Sequence, residues 1–212
     1  MSCCQCQGIE SFFNKKVALK ELKRYHAQGP NKTTRLLVEA LKSAGVDGLT
    51  LLDIGGGIGA IQHELMDAGV SRVTSVDASS GYIEVAQGEA EQRGLAERVD
   101  YQYGDFVSLA PAISPAHIVT LDRVICCYHD MESLVGFSSA KAQIYYALVY
   151  PRDTGWFKLG VPVLNFLFWL MRNPFRIFIH ATREVDALVR SNGFKPRFTG
   201  RTLLWQVVVY GR

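Results

Sequence analysis

The chain alternates between segments with apolar residues at helical spacing and short, continuous apolar runs. Leu36, Leu37, Ala40 and Leu41 recur at helical spacing and predict a helix over Thr33–Ala44 that Gly45 ends. The same pattern predicts helices over Glu10–Lys23, Ile58–Ala68, Gly81–Arg93 and Thr182–Asn192, with a short helix after the fourth strand. Apolar runs predict strands over Leu49–Ile54, Arg72–Val76, Val99–Tyr103, His117–Leu121, Ile144–Tyr150, Phe194–Phe198 and Leu203–Tyr210.

This order of elements predicts the fold class. Strands that alternate with helices favour a parallel sheet with helices on both faces. The last two strands are close enough in sequence to form a hairpin, which adds an antiparallel strand. We therefore predict an α/β sandwich, with residues 1–48 as an N-terminal helical cap and residues 49–212 as the α/β domain. An apolar insert occupies residues 152–180 of that domain.

Composition and charge narrow the classes of protein. A length of 212 residues favours one domain, and 48% hydrophobic with 20% charged residues excludes a disordered chain. The net charge is +4 over Met1–Thr50, −9 over Leu51–Val135 and +8 over Gly136–Arg212. Basic ends around an acidic middle suit an anionic ligand. Basic runs interleaved with aromatic residues are missing from the sequence, so we expect no nucleic-acid partner.

The five cysteines point away from a disulfide framework. Cys3, Cys4, Cys6, Cys126 and Cys127 are odd in number, and neighbouring cysteines bridge with difficulty. Their spacing is not that of a zinc site, so we expect no metal and ordinary thiols. The first residues have neither the basic nor the long apolar region of a signal peptide, which favours the cytoplasm.

A glycine-rich turn after the first strand carries the functional signal. Glycines let a backbone turn sharply and approach a ligand at a helix N-terminus. The spacing Gly55-x-Gly57-x-x-Ala60 also fits a dinucleotide-binding loop, as in an NAD(P)-dependent oxidoreductase. Asp53, two residues before the turn, would however repel a pyrophosphate, and its carboxylate suits the ammonium group of S-adenosylmethionine (SAM).

Two more strand ends carry acids. Asp77 follows Gly57 by twenty residues, where a carboxylate can accept both ribose hydroxyls. At the third strand end, Asp105 can accept from an adenine amino group and Phe106 can cover the ring. Acids at three successive strand ends favour SAM over a dinucleotide.

Asp53-x-Gly55-x-Gly57-x-Gly59 resembles the first motif of the class I SAM-dependent methyltransferases. Asp77 is similar to their ribose acid, Gly104-Asp105-Phe106 to their adenine loop, and Leu121–Ile125 to the segment under the sulfonium. The resemblance implies a Rossmann-like, seven-stranded, mostly parallel sheet, SAM as cofactor and methyl transfer to a nucleophile. The residues it implies for the cofactor are Asp53, Gly55, Gly57, Asp77, Ala78, Gly104, Asp105, Phe106 and Leu121.

Within that superfamily, two segments are similar to the magnesium-protoporphyrin O-methyltransferase branch. They are Tyr150–Asp153 and Phe175–His180. This likeness implies a small, apolar, carboxylate-bearing acceptor, for which a porphyrin is one example. A SAM- or nucleotide-binding module without catalysis is the alternative, beside the oxidoreductase.

Residues outside the motifs complete the candidate site. Asp122 and His129, near the end of the fourth strand, are the candidate catalytic residues, with His129 in the pKa range of a general base. A helical N-terminal segment commonly covers the cofactor in the superfamily, so Tyr25 and Arg35 are candidates to contact its methionine carboxylate.

The stretch Trp156–Met171 is strongly apolar and bounded by arginines. Lys158, Pro162 and Asn165 interrupt it, and it is too short to span a bilayer. Three interpretations remain open: a buried helix, a lid over an apolar substrate pocket, or an anchor on a membrane surface.

Overall fold

The computed structural model describes the backbone of residues 4–212 and the side chains of residues 7–155 and 157–212. The expectation of ordinary thiols at Cys3, Cys4 and Cys6 lies outside those described residues. The helices are α1 (Cys4–Phe12), α2 (Lys15–Gln28), α3 (Lys32–Ala44), α4 (Ala60–Met66), α5 (Ser80–Gln92), α6 (Phe106–Leu109), α7 (Met131–Lys141), α8 (Gly155–Leu170) and α9 (Thr182–Ser191). The strands are β1 (Thr50–Ile54), β2 (Arg72–Asp77), β3 (Val99–Tyr103), β4 (Ala116–Asp122), β5 (Ala142–Pro151), β6 (Lys195–Arg201) and β7 (Trp205–Gly211).

The strands form one seven-stranded sheet in the order β3-β2-β1-β4-β5-β7-β6. Strands β1 to β5 pair in parallel, and β7 lies antiparallel between β5 and β6. The predicted Rossmann-like α/β fold with an antiparallel C-terminal hairpin strand is confirmed. Strand order reverses on either side of β1, and ligands of open α/β sheets bind outside the carboxyl ends of the strands at such a point.

Register brings the candidate residues to one edge of the sheet. Ile54, the last residue of β1, pairs with Val76 of β2 on one side and with Leu121 of β4 on the other. Asp77 in turn pairs with Tyr103. The residues that directly follow these strands therefore emerge side by side.

The core lies on both faces of the sheet because successive strand residues point to opposite sides. Leu52 belongs to the cluster on one face, and Leu51 to the cluster on the other. Leu37 and Leu41 of α3 are fully buried in the second cluster. Helix α3 therefore packs directly on the sheet, and the division of the chain at residue 48 stays a prediction.

The predicted single helix over Glu10–Lys23 is wrong. The chain forms two helices, because the side chain of Asn14 accepts hydrogen bonds from the backbone N–H groups of Lys16 at 3.1 Å and Val17 at 3.3 Å and so starts a new helix. The hydroxyl of Ser79 also donates to the carbonyl of Phe13, at 2.5 Å, and holds the break against β2.

The apolar stretch is a helix, α8, but it is not buried. Leu159 is 78% exposed and Trp169 is 63% exposed. The interpretation as a buried helix is therefore wrong, while the lid and the surface anchor stay open. In the described part of the chain, no helix has the length and apolar character needed to cross a bilayer.

Replacing a core leucine tests this assignment of the core. Leu52→Ala, at a fully buried site in β1, should lower the free energy of unfolding by about 2–5 kcal/mol, because it leaves a cavity among packed side chains. Leu19→Ala, at a half-exposed site on α2, should change it by less than about 0.5 kcal/mol. Urea denaturation followed by circular dichroism measures both, and equal effects would contradict the assignment.

Candidate active site

A cavity of about 500 Å³ opens at the carboxyl ends of β1 to β4. Its volume falls within the range of small-molecule sites, roughly 300–1,000 Å³. Of the predicted residues, those that line it are Tyr25, Asp53, Gly55, Gly57, Asp77, Ala78, Gly104, Asp105, Phe106 and Asp122. The structure thus gathers most of the sequence-predicted site around one space.

The glycines of the turn have different surroundings. Gly55 and Gly57 both have positive φ, +66° and +57°, which disfavours other residues. A Cβ added to Gly55 would lie 2.4 Å from a methyl carbon of Val124, so Gly55 is packed against protein. A Cβ added to Gly57 would meet nothing closer than Tyr82 at 3.7 Å. Gly57 is therefore the glycine with room above it for a ligand to approach.

Asp77 joins the end of β2 to the glycine turn. Its carboxylate accepts from the backbone N–H of Gly57 at 3.0 Å and from that of Ser79 at 2.8 Å. Burial raises the pKa of Asp77 to about 6, although these two N–H groups oppose the rise. An acid in this position holds the turn and borders the cavity at the same time.

Asp53 lies beneath the turn rather than across the cavity from it. Its carboxylate is 1% exposed and accepts from the hydroxyl of Thr120 at 2.7 Å and the amide of Gln62 at 3.0 Å. Gln62 also donates to the hydroxyl of Ser75, at 2.9 Å. Both carboxylate oxygens are thus engaged by protein groups, which gives Asp53 a supporting position. Its direct contact with an ammonium group stays a prediction.

Burial dominates the electrostatics of Asp53 and raises its pKa to about 7. The hydrogen bonds from Thr120 and Gln62 stabilise the charged form and partly offset this rise. The carboxyl group therefore titrates close to neutral pH in the folded protein, and near pH 4 in an unfolded chain.

The third strand end is capped by its own acid. Asp105 accepts from the backbone N–H groups of Val107 and Ser108, both at 3.3 Å, and so starts α6. The phenol of Tyr128 donates to the same carboxylate at 2.9 Å. Phe106 is buried at the cavity wall. These contacts fix the loop that the sequence assigns to an adenine ring.

At the fourth strand end, Asp122 and Arg123 tie the N-terminal segment to the sheet. The hydroxyl of Thr34 donates to Asp122, and the guanidinium of Arg123 donates to Asn31 and, at 2.9 Å, to the hydroxyl of Thr33. Burial raises the pKa of Asp122. Asp122 thus lines the cavity while holding the start of α3 against β4.

Three predicted residues lie outside the cavity. Arg35 donates to the carbonyls of Gln28 and Pro30, both at 3.2 Å, and so closes the loop between α2 and α3. Leu121 is fully buried in the core under the sheet edge. His129 is exposed and packs beside the ring of Tyr128, with ring centroids 5.6 Å apart. The expected cofactor contacts of Arg35 and Leu121, and the catalytic contact of His129, therefore have no support from their positions.

Tyr25 differs from these three, because it is buried at the cavity wall and its hydroxyl donates to Glu64 at 3.3 Å. Burial raises the pKa of Tyr25 to about 12. Its phenol therefore stays protonated at neutral pH.

Apolar residues close the far side of the cavity. They come from the end of α1 and the residue after it, from α8 and from the segment after α8, and they include Phe12, Phe13, Phe157, Val161, Leu164, Phe175, Ile177 and Ile179. Phe12 stacks on Phe175 with ring centroids 4.4 Å apart and planes 11° apart. The apolar stretch Trp156–Met171, for which a lid over a substrate pocket is one interpretation, supplies Phe157, Val161 and Leu164 to this wall.

Among the described residues, no group of three or more histidine, cysteine or acidic side chains is placed to hold a metal ion. Cys126 and Cys127 both line the cavity, with their sulfur atoms 3.8 Å apart.

The raised pKa of Asp53 predicts a pH-dependent stability. The folded state binds the proton more tightly than the unfolded chain, so the contribution of Asp53 to stability should fall as pH rises from about 4 to about 7 and level off above. Asp53→Asn should remove this slope, and Gln62 can accommodate the amide because its buried Oε1 has no partner. Urea denaturation of both proteins at pH 4.5, 6 and 8 measures the difference, and parallel pH profiles would contradict the account.

Part of the chain matches a known protein family. Residues 51–143, from β1 to the strand after α7, match a family described as a methyltransferase domain. No curated protein sequence matches the chain. The matched region contains the glycine turn and all four acidic strand ends.

Solved structures extend the likeness to the whole fold. Magnesium protoporphyrin IX methyltransferase from Synechocystis PCC 6803 with bound S-adenosylhomocysteine (SAH) has a TM-score of 0.72 at 20% identity, covering 98% of this chain and 99% of that one. Geranyl diphosphate C-methyltransferase from Streptomyces coelicolor has a TM-score of 0.66 at 16% identity, covering 93% and 83%. A putative sarcosine dimethylglycine methyltransferase from Galdieria sulphuraria has a TM-score of 0.68 at 13% identity, covering 85% of each chain.

At such identities the solved structures show the fold alone, and the domain match covers the glycine turn and the acids that border the cavity. The two agree with the glycine turn and the strand-end acids. Residues 51–143 form a methyltransferase domain, the whole chain shares its fold with solved SAM-dependent methyltransferases, and the protein is an enzyme that uses SAM as its cofactor.

Proposed function

We propose that this enzyme methylates a flat, apolar, carboxylate-bearing small molecule of porphyrin-like shape. The observation that carries the proposal is the division of the cavity into two halves. The polar half is made by the glycine turn and the strand-end acids, and the apolar half by aromatic and aliphatic side chains of α1, α8 and the residues after α8.

The residues of the polar half fit SAM. Bound SAM supplies an electrophilic methyl group carried on a sulfonium. We propose that the open face of Gly57 admits the methionine end and that Asp77 with Ala78 accepts the ribose. Asp105 and Phe106 then border the adenine. The same cavity leaves the apolar half for the acceptor.

The apolar half fits a flat, hydrophobic acceptor. Phe12 and Phe175 stack to form one wall, and Val161 and Leu164 of α8 face the same space. Walls of this kind exclude water from the reacting groups. They also offer planar surfaces against which a conjugated ring can lie.

The charged groups around the cavity favour an acceptor that brings its own nucleophile. Among the described residues, the lining contains no histidine and no lysine, and the cationic side chains in it are Arg24 and Arg123. A carboxylate is already ionised at neutral pH and needs no general base. The lining also contains Glu21 and the four strand-end aspartates, so the attraction for such an anion comes from the two arginines and from the basic C-terminal part of the chain, with net charge +8.

The comparisons add support for a hydrophobic acceptor. The similar structures include a protein named for magnesium protoporphyrin IX and one solved with geranyl diphosphate. We take the porphyrin-like acceptor as the proposal, since that likeness spans nearly the full length of both chains. The proposal includes a cytoplasmic location and a peripheral contact with a membrane through α8.

An acceptor panel tests the proposal. The purified enzyme is mixed with SAM and with a dicarboxylic metalloporphyrin, its dimethyl ester, geranyl diphosphate or an amino acid. We expect SAH release and a mass gain of one methylene only with the free acid. Turnover of the amino acid alone, or of geranyl diphosphate alone, would contradict the proposed acceptor.

Filling the apolar half of the cavity should impair binding of the acceptor and leave binding of the cofactor unchanged. Val161→Trp places an indole in the cavity and should raise the acceptor KM more than tenfold, whereas SAM affinity stays within twofold. The matched control is Val163→Trp, two residues along the same helix at an exposed position, which should change neither value. Equal effects of the two substitutions on turnover would contradict the placement of the acceptor.

Removing the carboxylate of Asp77 should weaken the binding of SAM. Asp77→Ala removes a charged acceptor and should lower SAM affinity by about 1.5–3 kcal/mol, roughly 10- to 150-fold in Kd. Asp100→Ala, at an exposed position on the neighbouring strand β3, is the control and should leave Kd unchanged. Isothermal titration measures both, with circular dichroism to confirm folding, and an unchanged Kd in Asp77→Ala would contradict the role of this acid.

A further inference from the structure

Helix α8 presents an exposed apolar face on the side away from the cavity. Leu159, Val163, Phe166 and Leu170 follow one another at intervals of four, three and four residues, which places them on one side of a helix. Leu159 is 78% exposed, Phe166 57% and Leu170 64%. We call these four residues the outer face of α8.

The opposite side of the helix is fixed to the protein. The side chain of Asn165 donates to the carbonyl of Ile177 at 2.8 Å and accepts from its N–H at 2.9 Å. Phe168 packs edge-on against Phe12 and Phe175, with ring centroids 5.9 Å and 5.8 Å apart. The contacts of its inner side therefore hold the helix in place. With the inner side against the protein, the outer face points away from the cavity.

Helix α8 is apolar on both its inner and its outer side. A helix that is apolar on all sides is found in a protein core or in contact with lipid. The inner side of α8 has its apolar contacts in the cavity wall, whereas the outer face is exposed, and its Phe166 stacks on Trp169 of the same helix with ring centroids 5.7 Å apart. Trp169 and Met171, both exposed, widen the apolar surface at the C-terminal end.

The charged residues of α8 and of the segment that follows it have one sign. The sequence from residue 154 to residue 183 contains no Asp or Glu. Lys158 and Arg172 are exposed near the two ends of α8, and Arg176 follows in the returning segment. Basic residues that flank an apolar surface complement an anionic lipid headgroup layer.

The tip of the C-terminal hairpin extends the same surface. Arg152, just before α8, donates through its side chain to the carbonyls of Thr202 at 3.3 Å and Leu203 at 3.4 Å. Leu203 is 74% exposed, and the neighbouring Arg201 is exposed as well. The tip therefore repeats the pairing of an apolar with a basic residue beside the start of the helix.

The dimensions of α8 suit contact with a bilayer surface. Sixteen residues of helix span about 24 Å, and Pro162 and Asn165 interrupt the apolar run. Trp169 lies near one end, and tryptophan is enriched at the level of lipid headgroups. These features describe a helix that lies in the interface.

We propose that the outer face of α8 and the tip at Leu203 dock on an anionic bilayer surface, so that an apolar acceptor reaches the cavity from the lipid. The second half of this inference rests on the proposed function. Because Val161 and Leu164 line the cavity on the same helix whose outer face would touch lipid, the width of α8 separates the acceptor half from the membrane.

Vesicle flotation tests the docking with the full chain and its SAH complex. We expect binding to phosphatidylcholine vesicles with 30% phosphatidylglycerol to exceed binding to pure phosphatidylcholine by more than tenfold, and to weaken in 0.5 M salt. The double variant Phe166→Asp/Leu170→Asp should lose at least tenfold in partitioning and keep its SAH affinity. Phe137→Asp, at an exposed phenylalanine on α7, is the matched control and should bind as the parent does.

Three results would overturn the docking. The first is no binding to either kind of vesicle, and the second is an equal loss of vesicle binding in the double variant and in the control. The third is a concentration-dependent dimer, seen by sedimentation, that forms without lipid binding and that the double variant abolishes. The last result would assign the outer face to a second copy of the chain.

The acceptor assay separates this inference from the proposed function. If anionic vesicles raise turnover of a membrane-dissolved porphyrin by the parent but not by the double variant, both stand. Turnover of a porphyrin without vesicle binding would contradict the docking but not the proposed acceptor. Vesicle binding without turnover of any porphyrin would contradict the proposed acceptor but not the docking.

Discussion

The glycine turn after β1 rests on a buried carboxylate, and the rest of the site depends on that contact. Asp53 is nearly inaccessible to solvent and is held by Thr120 from the neighbouring strand and by Gln62 from the following helix. A buried acid with two hydrogen-bond donors ties two strands and a helix together at one point. The turn above it can then keep Gly57 open to the cavity and within 3.0 Å of Asp77. Burial is also the reason that the pKa of Asp53 rises to about 7, so the support and its pH dependence have one cause.

The N-terminal segment completes the site from the other side. Thr34 contacts Asp122, and Phe12 stacks on Phe175 in the segment after α8. The close fit of α1 is visible at Gly8, where an added Cβ would lie 3.0 Å from the backbone of Phe175. Helix α1 and the segment after α8 are distant in sequence and adjacent in space. Their contact forms one wall of the apolar half, which we assign to the acceptor, while we assign the polar half to the cofactor.

The fold and the polar half could be predicted from the sequence because their signals are local. Asp53 to Gly59 combine the end of a strand, a glycine turn and an acid at fixed spacing. Such a combination predicts a ligand site at the edge of the sheet where parallel strands end together. The break at Asn14 was missed because the apolar spacing continues across it and only the cap reveals it. His129 was assigned to catalysis from its place after β4, but the direction of a side chain in an irregular loop is set by packing. The exposure of α8 depends on which of its sides meets Phe12 and Phe175, and no periodicity within α8 contains that information.

Amide hydrogen exchange of the enzyme with and without SAH tests whether the cavity at the strand ends holds the cofactor. We expect SAH to slow amide exchange in the glycine turn after β1 and in the residues that follow β2 and β3. We expect no change in the groove formed by Leu36 of α3 and Phe198 of β6, which lies away from the strand ends. Protection in that groove, with none at the glycine turn, would contradict the assignment of the strand-end cavity as the cofactor site.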